Sequence, residues 1–306
     1  MVHTIIFSFD RAIQLELLLK SIITHDIDGI LDTSILYSFT SETHQESYKV
    51  LIDRYPQFNW VEEKRFPKKT VKPFFPAYWH NYYWWIRYKH NRVVSSNFRG
   101  QLLSIIKDNK CETVMFLTDD SMFFNRITVP GYPLEQIREK PQTSSFSLRH
   151  GSNIMGGNYS SIKGLLYWNI FDEQEHPEWS FPFSIDGHIY NKELISTTFS
   201  KVWFKNPNTL EGNVACYVRE KGILPTVYSN CESCLVGFEL NRVQTVSNNN
   251  NLNISSQYLN YLFHKGYQMK ISFDRQNNRL FRPDKFRVDA LKENYAINII
   301  TLDEKN

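Results

Sequence analysis

With 306 residues the chain can bury a substantial core, as one large α/β domain or two small ones, and one is favoured. Its 35 Lys and Arg stand against 32 Asp and Glu, a net charge of +3 spread along the chain, so bulk electrostatics point away from nucleic acid as a partner. The sequence enters an apolar strand at once, without a leader, and contains no run of about 18 apolar residues, so no membrane span is expected and the cytoplasm is the expected address.

Residues 4–9 form a short apolar, β-rich run, and beyond Asp10 and Arg11 the residues Leu15, Leu18, Leu19, Ile22 and Ile23 recur at helical spacing. After the Asp28-Gly29 turn signal come a second strand over 34–39, a polar loop, a helix ending near Tyr55-Pro56 and a third short strand over 58–61. Residues 73–92 crowd Phe, Tyr and Trp among Lys, His and Arg. That stretch suits a buried element with a basic edge, a peripheral membrane contact or an acceptor platform. An amphipathic helix follows over 96–108, and the most apolar strand of this half, 111–118, runs straight into Asp119-Asp120.

Beyond Phe124, Pro, Gly, Ser and Asn punctuate 129–158, and an aromatic, acidic stretch covers 167–183. A strand over 181–190 carries Asp186-Gly187-His188. A helix opens near Asn208 and stops at Gly222, and a last helix covers 255–265. The Asn-rich run 248–251 reads as a loop, and the residues after Phe281 as a partly ordered tail or wrapping segment. No internal repeat is visible. The alternation of strands and helices predicts a parallel sheet with right-handed crossovers. Of four cysteines, Cys231 and Cys234 form a lone CxxC, which lacks the second ligand pair a zinc site needs, so all four read as reduced thiols.

Ligands of open parallel sheets bind outside the carboxyl ends of the strands, so Phe9-Asp10-Arg11 and Asp119-Asp120 are expected at one edge. A pair of carboxylates there suits Mg²⁺ or Mn²⁺, which keeps open positions for the phosphate oxygens of a nucleotide. The phosphate loops of nucleoside triphosphatases and the glycine fingerprint of dinucleotide enzymes are both missing from the sequence. Each acid also has a plainer reading: Asp10 as the N-cap of the first helix, Asp119-Asp120 as a solvated turn.

The run Ile5-Ile6-Phe7-Ser8-Phe9-Asp10-Arg11, followed by Gln14, Leu15, Leu18, Leu19, Ser21 and Ile22, resembles the first strand and helix of family 2-like GT-A glycosyltransferases. The stretch Phe116-Leu117-Thr118-Asp119-Asp120-Ser121-Met122-Phe123 is similar to their metal-binding DXD strand end, though it is not a literal D-x-D. The resemblance covers residues 1–125 well. It implies a GT-A-like, Rossmann-like three-layer α/β/α fold with a mostly parallel central sheet, a single domain over 1–306. In that domain 1–125 is the nucleotide-sugar half and 126–306 the acceptor half.

The resemblance further implies that Ser8, Phe9, Asp10, Arg11 and Asp119 contact a nucleoside-diphosphate sugar, a UDP-sugar for preference. Asp120, with Asp119 beside it, would hold Mn²⁺ or Mg²⁺. The acceptor would be a carbohydrate or glycolipid, as in polysaccharide biosynthesis, and the transfer inverting, with a carboxylate base in the second half. Glu211 and Asp186 are the candidates. Glu211 has a structural alternative as partner of an Asn208 N-cap in a capping box. His188 is the candidate third metal ligand, with His264 a second, and Trp168, Trp179 and Trp203 are candidate sugar-stacking rings, each with core packing as the plainer role. The rival functions are an inactive carbohydrate-binding or scaffold protein on the same fold and a sugar nucleotidyltransferase.

Overall fold

Alternation along one strand sets the architecture of the computed structural model, which describes residues 1–71, 93–241, 252–276, 278, 283, 285–293 and 295–303. In the first strand, Val2–Phe9, the side chains of Val2 and Ile6 join one apolar cluster and those of Ile5 and Phe7 another. A strand buried on both faces must carry apolar residues nearly throughout and needs helices on both sides. Each such fully buried side chain contributes roughly 1.5–3 kcal/mol.

In chain order the first half holds β1 (Val2–Phe9), α1 (Ala12–His25), β2 (Leu31–Ser38), α2 (Glu42–Arg54), β3 (Asn59–Glu62), β4 (Arg65–Thr70), β5 (Val93–Ser96), α3 (Phe98–Asp108), β6 (Thr113–Thr118) and β7 (Ser121–Phe123). It continues with α4 (Gly131–Glu139), β8 (Ser144–Ser147), β9 (Ser160–Ile162), β10 (Leu165–Asn169), β11 (His188–Asn191), α5 (Lys192–Lys201), α6 (Pro207–Lys221) and β12 (Thr226–Asn230). The remainder holds β13 (Leu235–Gly237), α7 (Ser256–His264), β14 (Gln268–Phe273), β15 (Lys285–Lys292) and β16 (Tyr295–Asp303).

Nine strands form one sheet in the order β3-β2-β1-β6-β11-β8-β12-β10-β9. From β3 to β6 the pairing is parallel, and only β11 and β10 oppose the direction of the rest. The sheet is thus mostly parallel, and it spans both halves of the chain. Helices α1, α2, α4 and α7 pack on one face, and α3, α5 and α6 on the other. The chain leaves β1 toward β2 on one side and returns later as β6 on the other, so a topological switch lies between β1 and β6. Such a switch point is where open α/β sheets bind their ligands.

The sixth strand ends at Thr118 with Asp119 and Asp120 directly after it, as expected, in a two-residue turn beyond which β7 pairs with β13. Other expected boundaries move. The strand expected over 181–190 is confined to β11; Asp186 and Gly187 form the turn before it. The expected tail after Phe281 is instead two strands, β15 and β16, completing an antiparallel three-stranded sheet with β14. Alternating Phe286, Val288 and Ala290 bury one face of β15, which a helical-period search over the C-terminus overlooks. The aromatic stretch 73–92 and the Asn-rich run 248–251 lie outside the described residues. Among the described residues no helix is long and apolar enough to cross a membrane.

Candidate active site

The parallel register of β1 with β6, Phe7 opposite Thr118, brings both strand ends to the switch point. The Asp119 amide still donates to Phe7 O at 3.1 Å, which sets the acid beside the first loop. Its Oδ2 accepts from Ser8 Oγ at 2.8 Å and Phe9 N at 3.0 Å, and its Oδ1 from Arg11 Nη1 at 2.9 Å. The same Nη1 donates to Asp120 Oδ2 at 2.8 Å, and Arg11 Nη2 donates to Asn241 O. Ser8 has one hydrogen and donates it to Asp119, so Tyr48 Oη, 2.7 Å away, donates to Ser8. Arg11, Asp119 and Ser8 are buried, while the Asp120 side chain keeps 16% of its exposure.

Burial pushes the Asp119 carboxyl up to about 6 against the pull of Arg11, with the like charge of Asp120 adding to the rise. Although buried, the Arg11 guanidinium is held further up by the two carboxylates. The cluster is therefore an ion triad with one net negative charge near neutral pH.

Asp10 takes the left-handed backbone (φ 56°) that Asp tolerates better than most residues. Its carboxylate accepts from Thr40 N at 2.8 Å and Thr40 Oγ1 at 2.7 Å, tying the end of β1 to the loop after β2. It is not the helix cap, because Arg11 occupies the N-cap position of α1. Phe9 ends β1 with the Arg65 guanidinium 5.2 Å above its ring.

A second charge cluster sits on the other side of the same turn. Asp186 Oδ1 accepts from Ser121 Oγ at 2.6 Å and Thr118 Oγ1 at 3.1 Å, and Oδ2 pairs with the buried Arg149 Nη1. Gly187 holds the turn, with φ +75° and Leu235 where a Cβ would stand, so no other residue fits without strain. Glu211 reaches this loop from α6, its Oε1 accepting from Ile185 N at 3.1 Å. Burial pushes the Glu211 carboxyl up to about 7; the Ile185 N–H opposes the rise, the charge of Asp186 adds to it, and Arg149 and Ser184 oppose it. The two candidate bases are thus brought together, and Glu211 carries the proton that can move near neutral pH.

The capping-box alternative for Glu211 is corrected: α6 starts at Pro207, its N-cap is Asn206 and its box partner Thr209, two residues earlier than the sequence suggests. Pro207 at the first helical position fixes that start. His188 is buried, its ring near those of His150 and Tyr190, and burial with the Arg149 charge pushes it down to about 3. It is a neutral core imidazole, and among the described residues no group of three or more His, Cys, Asp or Glu side chains forms a metal cluster. His264 Nε2 meets Ser47 Oγ at 2.9 Å and Thr43 O at 3.0 Å, joining α7 to α2. Trp168 and Trp179 are buried with their indole N–H groups bonded to backbone, so neither face is open to a sugar. Trp203 O accepts from Asn213 in α6, and the four cysteines are free thiols.

Sequence reasoning missed Tyr48, Arg149, Gln14 and Asn241. Tyr48 and Arg149 act across 40 and 37 residues of chain, and no local spacing signals such a contact. Gln14 is the exception, because a polar residue on the apolar stripe of α1 is a legible anomaly. Its buried amide has no partner among the described residues and lines a gap of about 10 Å³ with Asp119, Asp120 and Ser121, room for about one water. Asn241, whose carbonyl receives Arg11, likewise has a buried amide without a partner among the described residues.

No protein-family model matches the chain. Among curated proteins it is 24% identical over 292 residues to the bifunctional glycosyltransferase pgtA of Dictyostelium discoideum, a match covering 81% of this chain and 33% of that protein. The chain thus spans about a third of the length of this relative. Among solved structures, S. aureus TarS is 12% identical with a TM-score of 0.42, over 77% of this chain and 36% of TarS. The mannosyltransferase PcManGT of Pyrobaculum calidifontis, in complex with GDP-Man and Mn²⁺, is 12% identical with a TM-score of 0.36, over 76% of this chain and 54% of its own. A mixed α/β chain with acids at the switch point of its sheet is therefore similar in sequence, over four fifths of its length, to part of a glycosyltransferase.

Proposed function

We propose that the chain is a GT-A-type glycosyltransferase that moves a sugar from a nucleoside-diphosphate donor, a UDP-sugar for preference, onto a hydroxyl of a carbohydrate or glycolipid acceptor. One observation carries the reading. The segment Thr118-Asp119-Asp120-Ser121 serves two charge clusters at once, its acids pairing with Arg11 and its hydroxyls donating to Asp186. Donor and acceptor chemistry need just such neighbouring sites at one strand edge.

Within this reading Asp119 is a positioning residue, since Ser8, Phe9 N and Arg11 engage both its oxygens. Asp120 keeps 16% of its side-chain exposure, with one oxygen outside the Arg11 contact. A divalent cation fits there as a guest of Asp120 and the donor's own phosphates, the sparse coordination Mg²⁺ accepts, and when bound it would supply charge to the departing diphosphate. Glu211 is the base. The acceptor hydroxyl attacks the anomeric carbon and forms the new C–O bond, its proton passes to Glu211, and the bond to the diphosphate breaks with its electron pair on the phosphate oxygen. A single base on the acceptor side corresponds to inversion.

The test is donor turnover. The wild-type chain, given a panel of UDP- and GDP-sugars with and without Mn²⁺, should melt at higher temperature with at least one donor and hydrolyse it slowly. Asp120→Ala should abolish that hydrolysis while circular dichroism stays unchanged. A carbohydrate binder would instead be stabilised by glycan without nucleotide, and hydrolysis surviving in Asp120→Ala would remove the assigned donor site.

A further inference from the structure

Away from both acid clusters, a crevice of about 430 Å³ opens between α3 and the strands β1, β2 and β3. His3, on its floor, lies six residues before the end of β1, so at ~3.3 Å per residue the crevice is roughly 20 Å from the catalytic edge. None of its lining residues belongs to the triad or to the Asp186 cluster. We propose that this crevice is a binding site for a neutral polyhydroxylated ring, a single sugar residue or the end of a short glycan, separate from the donor site.

The size falls within the range of small-molecule sites. The chemistry of the walls selects the class. His3 is fully buried, and its Nδ1 has no partner among the described residues. Asn59 donates to Ser34 Oγ at 3.1 Å, and His3 Nε2 meets the same oxygen at 3.0 Å, so an amide, a hydroxyl and an imidazole form one neutral network at the floor of the crevice. Burial pushes His3 down to about 4, so the imidazole brings no charge.

The charged lining residues are one lysine, Lys64, and one aspartate, Asp108, which cancel. A net anion or cation therefore meets no favourable field, whereas hydroxyls that both donate and accept match amides, serines and imidazole. Val61 and Ile105 add apolar surface of the kind the C–H face of a ring packs against. The inference does not rest on the transferase reading, because it uses none of the same residues.

The experiment is an amide-resolved NMR titration of the whole chain with glucose, N-acetylglucosamine and lactose, and with inorganic phosphate as the charged control. Saturable shifts at the side-chain amides of Asn59 and Gln101 in the millimolar range are expected with at least one sugar, and none with phosphate. His3 is buried, so its replacement risks the fold; Ser104, exposed on α3 at the crevice, gives the safer variant. Ser104→Trp should weaken the sugar response at least tenfold, and Asp120→Ala should leave it intact. Absence of saturation with every sugar, an equal response to phosphate, or a response unchanged in Ser104→Trp would overturn the proposal.

Discussion

Asp119 and Glu211 are both acids withdrawn from water, and burial pushes both carboxyls up, to about 6 and about 7. What opposes burial differs. Asp119 meets a guanidinium, a hydroxyl and a backbone N–H, so a stiff network holds it charged. Glu211 meets chiefly the Ile185 N–H, with Asp186 nearby adding to the cost of a second negative charge. A buried acid bonded directly to an arginine behaves as architecture, and one held by an amide and a hydroxyl, with arginine acting through its charge alone, keeps a mobile proton.

The sharpest way to break this contrast is Glu211→Gln. The amide oxygen can still accept from Ile185 N, so the fold should persist, while loss of the base should lower transfer by ~10²–10⁴-fold with donor binding retained. Steady-state rates together with a donor-induced melting shift check this. Full activity per folded molecule would return Glu211 to a structural role.

Asp119→Ala should show the opposite balance. It removes the acceptor of the Ser8 hydroxyl proton and of the Phe9 amide and takes one of two carboxylates from the buried Arg11, so a loss of about 3–5 kcal/mol in denaturant unfolding is expected. A loss under about 1 kcal/mol would mean that Asp119 is solvated and free to serve as a ligand.

The contrast also has a pH signature. Between the ordinary glutamate value and about 7, folded Glu211 holds a proton that the unfolded chain has released, so its contribution to stability falls as pH rises through that window and levels off above it. The total is at most ~3.5 kcal/mol at about 1.4 kcal/mol per unit. Transfer runs the other way, because the base must be ionised, and its rate should climb through pH 7. In Glu211→Gln the stability slope should flatten, which urea midpoints between pH 4.5 and 8 would show.

How far such behaviour is legible in the sequence follows from distance along the chain. The strand-helix order of residues 1–125 and the meeting of Arg11 with Asp119 and Asp120 follow from apolar periodicity and from the rule that strand ends share an edge. The start of α6 is missed by two residues because Asn206 and Asn208 both suit a cap, and Pro207 decides between them. The strands β15 and β16 are missed because their half-buried alternation is weak beside that of β1. Arg149, which sets the charge around Asp186, is invisible locally, since its pairing depends on how β8 and β11 lie side by side.

That pairing supplies the smallest and most discriminating effect. Asp186→Asn removes the negative charge that adds to the Glu211 rise. The change lowers the Glu211 carboxyl, so the acid limb of the transfer rate should move down, by on the order of one pH unit, ~1.4 kcal/mol. Asparagine can still accept from Ser121 and Thr118, so the turn should hold. If Asp186 were instead the group that takes the proton, the substitution would lower the plateau rate itself by ~10²-fold or more. A pH-rate profile therefore separates a neighbour that tunes the base from the base itself, since a tuning charge moves the limb and spares the plateau.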